Sequence, residues 1–220
     1  MFLKILAFIL PWPLRRVALQ KWFGYVIHPT AKIGLSWVYP GKLIMKESAK
    51  IGHFNMIIHL DQIKMGIKAS IARSNWITGF PSNTNSPHFG HQTLRQSLFI
   101  MGDNSAITKN HHFDCTNIIE IGRFTTIAGY QSQFLTHSID VIENRQHSDK
   151  IIIGDYTFVG TNVVVLGGAE LPSCSVLGAK SLLNKKFTEQ WMMYGGVPAK
   201  AIQPIPADAK YFTRTDGFVY

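Results

Sequence analysis

Thr136-His137-Ser138 sets an imidazole between two hydroxyl side chains, directly ahead of the charged stretch IDVIENRQHSDK at 139–150. Imidazole changes charge near neutrality, so proton transfer to and from a substrate is the chemistry such a residue offers; the plainer role is to anchor a loop. A second group lies in NHHFDC at 110–115, one coil below His137 in the repeat set out below, so His111, His112 and Asp114 are candidates to orient either an acceptor or the imidazole of His137. Turns recruit Asn, Asp and His for conformational reasons as well, and both readings stand. His88 and His91, in PSNTNSPHFGHQTLRQS at 81–97, are candidates to contact acceptor hydroxyls. The adjacent pair His111-His112 and the spaced pair His88, His91 would point in dissimilar directions, so no metal site is expected.

These residues need a scaffold, and composition narrows what it is. The chain has 220 residues, 46% of them hydrophobic, enough for one sizeable core. Twenty-two Lys and Arg against thirteen Asp and Glu give a formal charge of +9, which favours an anionic ligand or surface. No nucleic-acid motif or aromatic-interleaved basic stripe accompanies that charge, so nucleic acid is not an expected partner. Cys115 and Cys174 are too few for a disulfide framework and read as free thiols.

No apolar run reaches eighteen residues, and the N-terminus lacks a small-residue cleavage site, so neither a membrane span nor a signal peptide is expected. The first 26 residues nevertheless stand apart. MFLKILAFILPWPLRRVALQKWFGY mixes aliphatic residues and Trp with Lys and Arg, interrupted by Pro11 and Pro13. That mixture suits a helix in a membrane interface, binding through residues 1–24, and equally a helix that caps the apolar end of the main body.

The rest of the chain repeats. From Ile153 an aliphatic residue falls at every sixth position: Ile153, Val159, Val165, Leu171, Leu177, Leu183. Gly154, Gly160 and Gly178 follow directly, and Thr157, Val163, Ala169, Ser175 and Ser181 sit four places on. A period of six matches neither helix nor alternating strand; it fits short parallel strands joined by tight corners, three strands to a coil, with coils stacked at about 4.8 Å. Earlier echoes are Ile27, Ile33; Ile51, Ile57; Met65, Ile71, Ile77; Met101, Ile107, Phe113; and Ile121, Ile127 with Phe134 one place late. The segments 81–97 and 139–150 leave the repeat after the third hexad of their coils, so both should emerge at the same corner, with His137 at the root of the second.

This pattern resembles the hexapeptide-repeat acyltransferases, saccharide O-acetyltransferase branch, over residues 27–203. GGVPAKAI at 195–202 resembles the segment that closes their prism. The resemblance implies an all-β solenoid, a left-handed parallel β-helix with a short N-terminal helix and a C-terminal extension, divided as 1–26, 27–190 and 191–220. It implies a homotrimer with sites between subunits, acetyl-CoA as donor, and a saccharide hydroxyl as acceptor, on a polysaccharide, a glycolipid or its precursor, at the cytoplasmic membrane face. His137 would be the general base, with His112, Asp114, His88 and His91 near the acceptor. Gly160, Gly178, Ala179, Lys180, Ser181, Pro198 and Lys200 would line the coenzyme A groove, with Lys185 and Lys186 further candidates for its phosphates and Trp191 either stacked on adenine or covering the prism end. Backbone N–H groups at Gly167 and Gly168 are candidates to hold the oxyanion. Carbonic anhydrases of the same fold use His-x4-His zinc ligands, a spacing absent here. The rival functions are N-acetylation of a nucleotide-linked amino sugar and a non-catalytic binding scaffold.

Overall fold

In the computed structural model, which describes residues 1–219, the hexads become three stacked columns of side chains. The first face carries Ile27, Met45, Met65, Met101, Ile121, Ile153 and Leu171 in parallel register. On the second stand Ile33, Ile51, Ile71, Ile107, Ile127, Val159, Leu177 and Tyr194. Val38, Ile57, Ile77, Phe113, Phe134, Val165 and Leu183 form the third. All are buried, and the two-residue strands, whose first residue is exposed or half-buried and whose second is buried, show why one aliphatic per hexad suffices there: each offers a single inward side chain. Full burial of such a side chain stabilises by about 1.5–3 kcal/mol relative to leaving it exposed. Phe113 stacks on Phe134 with centroids 4.7 Å apart, filling the middle coils with aromatic bulk.

The corners have their own rule. Three places after every column residue of the first face except Ile27 the backbone is left-handed, at Ser48, Lys68, Asn104, Phe124, Tyr156 and Cys174. The same offset on the second face gives Phe54, Ser74, Asn110, Asn162 and Lys180. Left-handed backbone costs non-glycine residues roughly 1–2 kcal/mol each, which the stacked ladder must offset. In the coil of Ile127 the left-handed residues are Gly129 and Gln131, one residue more than elsewhere. That extra residue is why Phe134 arrives late.

The N-terminal segment is two helices rather than one: α1 (Phe2–Ile9) and α2 (Trp12–Phe23), separated by Leu10 and Pro11 and ended by Gly24 in the left-handed conformation. They cover the first coil. Ala7 and Leu19 are fully buried, the Arg15 guanidinium donates to the carbonyls of Gly34 (3.0 Å) and Ser36 (2.6 Å), and the Tyr39 hydroxyl donates to the Lys4 carbonyl. The capping role is therefore present. At the other end, strands Met192–Gly195 and Lys200–Pro204 form an antiparallel hairpin, and α3 (Lys210–Thr213) turns the chain back along the corner between the first two faces. There the Tyr211 hydroxyl donates to the Thr157 carbonyl at 2.9 Å, and Arg214 lies on the Tyr211 ring and donates to the Phe124 carbonyl.

Candidate active site

The third face ends at a corner where the two interruptions meet. Segment 139–150, expected as a loop, is most of an antiparallel hairpin pairing His137–Asp140 with Arg145–Ser148, because Asp140 closes its turn by accepting from the N–H groups of Ile142 and Glu143. Segment 81–97 is an irregular loop with one turn of 3-10 helix at Pro87–Phe89. Gln92 fastens the two together, donating to the Ser148 carbonyl (3.0 Å) and accepting from the Ser148 hydroxyl (2.7 Å).

His137 stands where hairpin, loop and third face converge. The strand register puts Asp114 beside Leu135, so its carboxylate lies under the imidazole, with Oδ2 3.7 Å from Nδ1. Asp114 is held there by Thr116, whose N–H and hydroxyl both donate to Oδ1 (3.0 and 2.6 Å). A carboxylate facing Nδ1 favours the proton on that nitrogen, which leaves the lone pair on Nε2. Nε2 meets the side-chain amide oxygen of Gln146 from the opposite hairpin strand; that oxygen only accepts, so the amide must turn or be displaced before Nε2 presents a lone pair outward. The edge of Phe89 covers the ring, centroids 5.4 Å apart, and a cavity of about 320 Å³ lined by Thr78, Phe80, His112, Asp114 and Thr116 opens beside it. Thr136 secures the base of the hairpin: its hydroxyl donates to the Asp114 carbonyl (2.7 Å) and accepts from the Asn117 N–H (2.9 Å).

The other sequence candidates divide. His112 lines the cavity, whereas His111 is buried. The His111 Nδ1 accepts from the Ser132 N–H and its Nε2 bonds the Thr108 hydroxyl, while burial pushes its pKa down to about 4. It is a neutral structural residue out of substrate reach. His88 is exposed against the edge of Phe80, and His91 borders a separate cavity of about 360 Å³ with Asn117 and Asp149. Among the described residues, no three of the His, Cys, Asp and Glu side chains come together as a metal-binding group.

Gly160, Gly178, Ala179, Lys180 and Ser181 lie at the corner between the second and third faces, across the third face from His137. A Cβ on Gly160 would come within 2.7 Å of the Ala179 nitrogen, so that glycine serves coil stacking. Ser181 is buried with its hydroxyl donating to the Gly178 carbonyl and accepting from the Gly196 N–H. Ala179, Lys180, Pro198 and Lys200 are exposed, and Lys185 and Lys186 stand on the His137 edge, two coils above it. Trp191 packs on Phe212 of the returning tail, centroids 5.4 Å apart, so its ring is covered by its own chain. The expected oxyanion role of the Gly168 N–H is overturned: it already donates to the Lys150 carbonyl at 2.9 Å.

Sequence reasoning missed Gln146, Phe89 and, most of all, Arg95. The buried Arg95 guanidinium donates to the carbonyls of Phe80, Pro81 and Thr116 and lies 4.5 Å from the Phe89 ring centroid. Asp61 closes the loop's neck by accepting from the Ser82 N–H, the Ser82 hydroxyl and the Ser97 N–H.

The sequence matches no protein-family profile and no curated relative. Solved structures do resemble it. A hexapeptide-repeat-containing acetyltransferase of Vibrio cholerae O1 biovar eltor, in complex with acetyl coenzyme A, superposes with a TM-score of 0.50 at 17% identity, covering 93% of this chain and 84% of that one. The chain has the left-handed β-helix fold of the hexapeptide-repeat proteins. The polysialic acid O-acetyltransferase OatWY superposes at 0.46 with 17% identity over 87% of this chain and 90% of that one.

Proposed function

We propose that the protein is an acyltransferase that moves an acetyl group from acetyl-CoA to a saccharide hydroxyl, with His137 as general base. The observation that carries this is the imidazole held between the Asp114 carboxylate and an outward position beside a cavity. The fold adds support, being shared with an acetyltransferase crystallised with acetyl-CoA. A sugar hydroxyl is a weak nucleophile. Nε2 takes its proton as the oxygen attacks the thioester carbon; the tetrahedral intermediate then expels the thiolate, which receives that proton from the imidazolium. Asp114 stabilises the cation that forms between the two steps. The lysines on exposed corners supply cations suited to the coenzyme's phosphates.

The candidate donor positions and His137 occupy opposite edges of one face, so a chain presenting one edge to a neighbour's other edge completes the constellation. That supports the homotrimer. The deciding assay incubates purified protein with acetyl-CoA and a panel of saccharides. A gain of one acetyl mass, released by mild alkali as an ester is, supports the reading; an alkali-stable amide points to N-acetylation, and no transfer to any sugar would overturn it.

The N-terminal helices also have an outer side. No helix among the described residues is long and apolar enough to cross a membrane. Phe2, Leu3, Ile5 and Ile9 are nevertheless exposed along α1, and Lys4, Arg15, Arg16, Lys21, Lys32, Lys42 and Lys46 all precede the first acidic residue, Glu47. Arg15 is buried and Lys46 pairs with Asp103, but an apolar stripe beside Arg16 and Lys21 on α2 suits an anionic bilayer surface. Because the helices cap the core, deleting them would uncover it, and surface substitution is the cleaner test. The protein should sediment with phosphatidylserine vesicles, less so at high salt, and the triple variant Phe2→Ser, Ile5→Ser, Ile9→Ser should stay in solution. Equal sedimentation of the two proteins would remove the membrane from the picture.

A further inference from the structure

Below the loop 81–97, on the same edge as His137, lies a further and larger cavity of about 630 Å³. Its walls include Lys4 of α1, Tyr39 and Lys42 of the first coil, Gln62 of the second, and Asn83 and Gln96 from the two arms of the loop. Another cavity of about 450 Å³ under the loop shares Asn83 and Gln96 with it, and shares Phe89 with the cavity beside His137. The three hollows thus have common walls from the N-terminal helix to the imidazole.

From this arrangement we infer that the lower cavities form an extended acceptor subsite for an acidic oligosaccharide several residues long. The inference rests on the acyltransferase reading and specifies its acceptor. Three features support it. The edge from Tyr39 to His137 crosses four coil steps, roughly 19 Å at the usual strand spacing, too long for a single sugar. Gln62, Asn83 and Gln96 carry amides, which both donate to and accept from hydroxyls. The charge in the walls is positive: Lys4 and Lys42 face the cavity, and its one carboxylate, Asp61, is occupied by three donors from Ser82 and Ser97. A neutral sugar would have no use for two lysines. A nucleotide-linked monosaccharide would leave most of the edge empty.

Equilibrium binding without acetyl-CoA tests this apart from catalysis, since a protein with no transferase activity could still bind. The probes are two- and eight-residue oligomers of galacturonate and of α2,8-linked sialic acid, with neutral maltooctaose for comparison. At least one acidic octamer should bind ten times more tightly than its dimer and than maltooctaose. Lys42→Glu and Gln96→Ala should each weaken the octamer several-fold, whereas Arg73→Glu, an equal charge change on the second face, should not. The inference falls if neither octamer outbinds its dimer, if maltooctaose binds as well, or if Arg73→Glu weakens binding as much as Lys42→Glu, which would signal general attraction of polyanions.

Discussion

Replacing His137 with alanine is expected to lower turnover by a factor of about 10²–10⁴, the usual cost of removing a general base, with the fold intact. The stability expectation follows from position. The His137 side chain is 37% exposed, and its contacts are with Gln146, Phe89 and Asp114, not with the three buried columns. Neither those columns nor the exposed corner at Ala179 and Lys180 is disturbed, so oligomeric state and coenzyme A affinity should be unchanged.

The rival role, anchoring the hairpin against the loop, predicts a different pattern. It would appear as a lower melting temperature or faster proteolysis at 137–148, with activity falling in proportion to the folded fraction. His137→Gln separates the two further, because glutamine can still bond Gln146 but cannot act as the base. Turnover should then be as low as in the alanine variant, with the melting temperature at the parent's value in both; a melting temperature lowered in the alanine variant and restored by glutamine would mark the anchoring role. Near-normal turnover in a folded His137→Ala protein would remove the assignment.

How far the sequence leads depends on whether a feature recurs. The columns were legible because each strand gives one side chain to its column and most corners have the same length, so an aliphatic every sixth residue reports them; the second inward residues of the first face, Leu43, Ile63, Phe99, Ile119 and Ile151, lie outside that period. Val38 and Met45 escape that reading because the first coils vary in corner length, and Phe134 is displaced by one added corner residue. The left-handed corners carry Ser, Lys, Phe, Tyr and Cys as well as Asn104, Asn110 and Asn162, so composition betrays only some of them. At the site, His137 and Asp114 were visible as reactive types close to a break in the repeat. Their pairing is a consequence of register, since Asp114 aligns with Leu135 two residues before the histidine. The opposite fate of His111 is also local: it occupies the corner just before the strand His112–Asp114, where its ring turns inward onto Thr108 and the Ser132 N–H. Single residues that organise an irregular loop obey no period. Asp61, Gln92, Arg95 and Gln146 were therefore unreadable, as was the Arg214 clasp on the returning tail.

Arg95 yields the second large effect, on positioning. Its planar fork reaches the carbonyls of Phe80, Pro81 and Thr116, tying the start of the loop to the coil below His137, and its face supports Phe89, which in turn covers the imidazole. Hydrogen bonds from a charged donor are worth about 1.5–3 kcal/mol each, but the carbonyls freed near the surface can be rehydrated. Arg95→Ala is therefore expected to destabilise by about 2–4 kcal/mol and to expose 81–97 to proteolysis. Turnover should fall by roughly 10–100-fold, since misplacing reacting groups by about 1 Å can cost a factor of 10². Lysine keeps the charge but cannot reproduce a fork that serves several acceptors at once, so Arg95→Lys should resemble the alanine variant more than the parent. The residual activity should keep the parent's pH profile, because the base itself is untouched, while coenzyme A affinity stays constant. A purely structural role would give normal turnover per folded molecule at temperatures well below unfolding. That result, or an Arg95→Lys protein indistinguishable from the parent, would break the proposed link from guanidinium through Phe89 to His137.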